Sequence, residues 1–105
     1  ISVLGTGDKA IIFEGFMDFL SHLRIYGFIA DHKYIVLNSV CNVEKVIEHF
    51  NVFGMPQHVE LWLDNDEAGR NATVTLSDKL TCTVEDKASV YAPHNDLNDW
   101  LIALK

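Results

Sequence analysis

Ala10-Ile11-Ile12-Phe13-Glu14-Gly15-Phe16-Met17-Asp18-Phe19-Leu20 is the stretch that decides the fold. Four apolar residues without alternation read as a strand buried on both faces. A carboxylate and a glycine follow at once. Phe16, Phe19, Leu20 and Leu23 then recur at i, i+3, i+4 and i+7, which predicts one face of a helix with Gly27 as its stop. A strand running straight into a helix is half of a βαβ unit. In open α/β sheets ligands bind beyond the carboxyl ends of the strands, and Glu14 stands at such an end.

The pattern repeats on either side. Residues 34–37, 60–63 and 88–91 are further short apolar runs that predict strands. Asn42 reads as the cap of a second helix with Val43, Val46, Ile47 and Phe50 on its inner face, broken by Gly54 and Pro56. A third helix is predicted from about 66 to 80, with Ala68, Ala72, Leu76 and Leu80 spaced for packing. A short last one carries Leu97, Leu101 and Ile102. This alternation predicts right-handed crossovers and a mostly parallel four-stranded sheet covered by helices on both faces. One compact α/β domain is expected over 1–105, without repeats or linkers, and it reads as a segment of a longer chain because it opens at Ile1 already in pattern.

With 105 residues the chain has room for about one core, and 49% hydrophobic residues suffice to build it. The net charge of −7 excludes a histone-like binder, since phosphate neutralisation needs Lys and Arg. Nucleic-acid chemistry here would need metal ions or a basic neighbouring domain. No apolar run approaches the ~18–20 residues of a membrane span, and no stretch reads as a signal peptide. Cys41 and Cys82 form no CxxC pair and are poor material for a disulfide scaffold or a structural zinc site. Two buried, inert thiols in a reducing cytoplasm are expected.

The strand ends carry the chemistry. The first runs into Glu14-Gly15 and the third into Asp64-Asn65-Asp66-Glu67-Ala68-Gly69. The fourth is followed by Pro93-His94-Asn95-Asp96. Three of four ends therefore send carboxylates to one edge, where they repel unless a cation joins them. Oxygen donors without a Cys or His cluster favour Mg²⁺ or Mn²⁺ over Zn²⁺. Asp64 and Asp66, two apart, can aim at one ion from extended backbone, and Asp18 lies four after Glu14. Asp66 and Asp96 also read as helix caps, and Asp18 as a solvated helix position. The only nearby basic residue is Arg70. A calcium-binding EF-hand loop fails, because Ala68 and Thr75 occupy its fifth and twelfth positions; an aspartyl phosphatase survives. Gly5-Thr6-Gly7 follows no predicted strand, and no GxxxxGK[ST] loop is present. The five His residues lack metal-ligand spacing, and only His94 falls near a strand end. Trp62 and Trp100 are expected in the core, and Ser39 has no triad partners.

Three of these segments resemble the Toprim domain of bacterial-type DNA primases. Glu14-Gly15-Phe16-Met17-Asp18 resembles its EG-x-MD motif, Asp64-Asn65-Asp66-Glu67-Ala68-Gly69-Arg70 its DxDxAGR motif, and Asp96-Leu97-Asn98-Asp99 its closing acidic motif. They occur in the family's order, in forms found in primases, including those of phages and mobile elements. The resemblance implies a Rossmann-like fold with Glu14 catalytic and Mg²⁺ or Mn²⁺ held by Asp64 and Asp66, assisted by Asp18 and Asp96. Arg70, Gly15 and Asn38 would meet nucleotide and phosphate. It implies primase-type nucleotidyl transfer, making RNA primers in DNA replication as part of a larger protein, with the isolated domain inactive. Nucleotide triphosphates and a single-stranded DNA template, reached through neighbouring domains, would be its partners, with a helicase beside them. Asn95 stands where primases carry Lys. A Toprim nuclease and a non-catalytic Toprim module in a repair or mobilisation complex are the alternatives.

Overall fold

In the computed structural model, which describes residues 1–104, Ala10, Ile11, Ile12 and Phe13 are each at most 2% exposed. They lie in β2 (Lys9–Phe13), the central strand of a five-stranded sheet of order β1-β3-β2-β4-β5. β3 (His32–Val36) and β4 (His58–Trp62) flank it in parallel, and β5 (Thr83–Asp86) extends the sheet in parallel beyond β4. β1 (Ser2–Leu4) pairs antiparallel with β3. A central strand has both faces covered, so an unbroken apolar run is what it needs.

Helices α1 (Phe16–Tyr26), α2 (Val43–Phe53), α3 (Glu67–Lys79) and α4 (Leu97–Ala103) connect or follow these strands. On one face Ala10, Ile12, Ile35 and Leu61 pack with Val46 and Phe50 of α2 and Leu76 of α3. On the other, Ile11, Phe13, Tyr34 and Trp62 pack with Phe19 of α1, Leu97 of α4 and Tyr91. Gly27 ends α1 at φ 76°, a conformation open to glycine. Trp62 is core and Trp100 only half-buried. No helix among the described residues is long and apolar enough to cross a membrane.

The sheet departs from the expected four strands at both edges. Residues 88–91 form a 3₁₀ turn, not a strand: Ala88 and Tyr91 are buried while Ser89 and Val90 are exposed, a period of three. The true fourth parallel strand, β5, is half-exposed and charged, as suits a sheet edge, so no apolar run marks it. β1 is three exposed residues, too short to show a period. Gly5-Thr6-Gly7 therefore does follow a strand, but it leads into β2 and not into a helix.

The buried side of α1 is also turned from the expected one. Asp18, Phe19, Ser21 and His22 are buried, while Phe16, Met17 and Leu20 are exposed. The cause is α4: Asn98 N–H donates to Asp18 Oδ1 at 3.1 Å and Ser21 Oγ donates to Asn98 Oδ1 at 3.1 Å, so polar side chains dock the two helices. Asn42 does not cap α2 with its side chain; the amide donates to Leu37 O at 2.8 Å. Cys41 is exposed and Cys82 half-buried, both free, so the expected burial of the thiols is wrong: neither lies in a central element.

Candidate metal centre

Strand register builds the centre. Phe13 pairs with both Val36 and Trp62, so β2, β3 and β4 end at one level. Glu14 leaves β2 beside Asp64, whose main-chain N–H donates to Glu14 Oε1 at 3.1 Å. Oxygens of Glu14, Asp64 and Asp66 lie within 4.8 Å of one another, and so do oxygens of Asp18, Asp64 and Asp96. Asp64 belongs to both groups. All five expected carboxylates thus meet at the carboxyl edge, although Asp96 arrives on the segment after β5 and not from a strand end.

Capping and clustering coexist. Asp66 Oδ1 accepts from Gly69 N–H at 2.8 Å, and Asp96 Oδ1 from Asp99 N–H at 2.8 Å. Each cap employs one carboxylate oxygen and fixes the side chain where the other remains available. Asp18 is no solvated helix position; it is 5% exposed. Gly69 explains the glycine of the Asp64–Arg70 segment: a Cβ there would fall 2.2 Å from Asp64 O. Gly15 differs, since an added Cβ would stand 3.4 Å from Asp18 Oδ2 and meet no backbone.

Burial, then the charges of Glu14 and Asp18, push Asp64 up to about 8. Burial also lifts Asp18 to about 6, against the N–H of Asn98 that holds it down. Asp64 Oδ1 is buried with no hydrogen-bond partner. These observations fit a hard divalent cation, which would satisfy that oxygen and remove the repulsion.

The phosphate candidates are placed less decisively. Arg70 Nη1 pairs with Asp86 Oδ2 at 2.6 Å and Nε donates to Asp64 O at 3.3 Å, while Nη2 has no partner. Asn38 sits at φ 67°; its N–H donates to Glu14 O at 3.0 Å and its amide to Ser2 Oγ at 3.1 Å. Asn95 Nδ2 reaches Asp64 Oδ2 at 3.4 Å. His94 is half-buried and engages through its carbonyl.

Sequence reasoning missed Asn65, Asn98 and Tyr91, which hold the edge together through main-chain groups. Tyr91 donates to Leu63 O, and Asn65 binds three carbonyls of residues 88–95. Backbone partners leave no pattern in a sequence. A third group, His58, Glu60 and Glu85, lies on the sheet away from this edge. Lys9 pairs with Glu60 at 2.7 Å and Lys87 with Glu85 at 2.5 Å, so its charge is already balanced.

The model of a family described as Toprim-like matches residues 11–101. Among solved structures, the primase fragment of the bacteriophage T7 primase-helicase protein matches with a TM-score of 0.74 at 21% identity, over 94% of this chain and 40% of that one. A chain from the structure of the bacteriophage T7 lagging-strand DNA polymerase, interacting with primase domains of two gp4 subunits bound to an RNA/DNA hybrid and dTTP, matches with a TM-score of 0.74 at 20% identity. It is covered over 49% of its length and this chain over 94%. At such identities the likeness is one of fold, and this chain spans less than half of either structure. No curated protein matches it in sequence.

Proposed function

The chain belongs to the Toprim-like family, and on that premise we propose that it is the nucleotidyl-transfer domain of a DNA primase-like protein, using Mg²⁺ or Mn²⁺ to make RNA primers during replication. The observation that carries this reading is the meeting of Glu14, Asp64 and Asp66, with the buried, unpartnered Asp64 Oδ1 among them. The primase domains of the fold neighbour are bound to an RNA/DNA hybrid and dTTP. That supports nucleotide triphosphates and nucleic acid as partners here, the template being held by basic neighbouring domains that offset the −7 charge. The other neighbour is a fragment of a primase-helicase protein, which supports a helicase beside this domain.

Asp64 and Asp66 would hold the cation, with Asp18 and Asp96 assisting. When bound, it would neutralise charge building on the phosphate oxygens and orient the reacting groups. Glu14, oriented by the Asp64 N–H, would take the proton from the attacking hydroxyl. Asp64 would shed its own proton on binding the cation. Arg70, Gly15 and Asn38 would meet nucleotide and phosphate.

The test is nucleotide binding with and without Mg²⁺. An acidic pocket repels a triphosphate, so binding is expected only with the metal. Equal binding in its absence would refute the proposal.

A further inference from the structure

Asn65 is the middle residue of Asp64-Asn65-Asp66, yet its side chain takes no part in the carboxylate groups. Its Nδ2 donates to Ala88 O at 3.1 Å and His94 O at 3.0 Å, and its N–H donates to Asn95 O at 2.7 Å. All three acceptors belong to the segment between β5 and α4. That segment has no strand pairing to locate it: a 3₁₀ turn is followed by irregular chain as far as Asp96. Where this segment lies decides whether the Asp96 carboxylate reaches Asp64.

We infer that Asn65 is a positioning residue, which clamps residues 88–95 to the Asp64 turn and thereby delivers Asp96 to Asp18 and Asp64. The residue type follows from the chemistry. A carboxamide nitrogen carries two N–H groups and can serve two carbonyls at once, whereas Asp would set its oxygens against them. The anchor on the far side of Asp96 is independent, since Asn98 N–H donates to Asp18 Oδ1. Asp96 is thus held between Asn65 before it and Asn98 after it. The inference rests on the metal reading above and assigns a residue that reading does not use.

Its test is a thermodynamic cycle in Mn²⁺ affinity on the protein as it stands, with Asn65→Ala, Asp96→Asn and the double variant. Asn keeps the α4 cap, so Asp96→Asn removes the charge alone. Each single change is expected to weaken Mn²⁺ about tenfold, the usual scale for residues that orient ligands. The double variant should be no weaker than Asp96→Asn, because both act through one carboxylate. Amide exchange of His94, Asn95 and Asp96 should quicken in Asn65→Ala. If that variant fails to fold, Asn65→Ser, which keeps one donor, takes its place.

An Asn65 variant with a lowered melting temperature but wild-type Mn²⁺ affinity would overturn the inference, as would losses that multiply in the double variant. Wild-type protein that binds no Mn²⁺ would sink the metal reading and this assignment with it.

Discussion

Asp64 gives its main-chain N–H to the carboxylate of Glu14 at 3.1 Å, across fifty positions of sequence. The bond fixes Glu14 and at the same time sets its charge against the side chain of Asp64. One contact therefore both orders the centre and raises its electrostatic cost. Proteins carry such local instability where a ligand relieves it.

Replacing Asp64 and Asp66 together by Asn should abolish Mn²⁺ binding and leave the fold intact. Asn at 66 still caps α3, and the repulsion at 64 is gone. The metal-free variant should be more stable than wild type at pH 8 by about 1 kcal/mol, a modest figure because water screens part of the repulsion. Mn²⁺ titration and thermal melting measure both, and an unchanged titration would remove Asp64 and Asp66 from the metal centre.

Cation affinity should depend on pH. Asp64 is held near 8, so below that value a cation must displace its proton. Affinity should fall about tenfold per pH unit below 8, or about a hundredfold at pH 6. Titrations at pH 6, 7 and 8 check this; a flat profile would mean that Asp64 is no ligand.

Gly69→Ala should cost about 2–4 kcal/mol. Alanine is the better helix former by ~1 kcal/mol, but here its Cβ would meet Asp64 O, C and N at 2.2, 2.8 and 2.9 Å. Those are backbone atoms that cannot swing aside. Urea denaturation gives the stability, and loss of Mn²⁺ affinity should accompany it because Asp64 must move.

His22 should make the fold acid-sensitive. It is 4% exposed, with its ring against Phe13, Tyr26 and Trp62. Burial, partly opposed by Glu60, lowers it to about 4 from 6.5. A lowered histidine contributes stability above the unfolded value of 6.5, and the contribution is lost as pH falls toward 4, about 3 kcal/mol in all. His22→Phe should shrink the difference between urea midpoints at pH 7 and pH 4.5. Asp18 and Asp64 act in the opposite sense, with folded values raised, so the comparison is made against wild type at each pH.

The central strands were legible because burial on both faces demands an apolar run, as at residues 10–13. β5 was not, because an edge strand carrying Glu85 and Asp86 needs no such run. The apolar spacing of Phe16 and Leu20 misplaced the inner face of α1 for a related reason: Asp18 and Ser21 bury polar atoms against Asn98, and a hydrophobic pattern does not register polar docking. Glu14, Asp64 and Asp66 could be named in advance because they follow apolar runs that are strands. Asp18 lies in α1 and Asp96 follows a 3₁₀ turn, so those two were legible only through the ordered acidic motifs.

Local order along the chain determined which side chains this protein offers at its carboxyl edge and the α/β class that puts them there. Tertiary structure alone decided how they meet: the 3.1 Å bond between Asp64 and Glu14, the arrival of Asp96 on a clamped segment, and the engagement of Arg70 with Asp86. Strand ends follow from periodicity, which is a property of neighbours in sequence. Distances between loops follow from register and from hydrogen bonds to carbonyls, which every residue carries and no sequence pattern distinguishes.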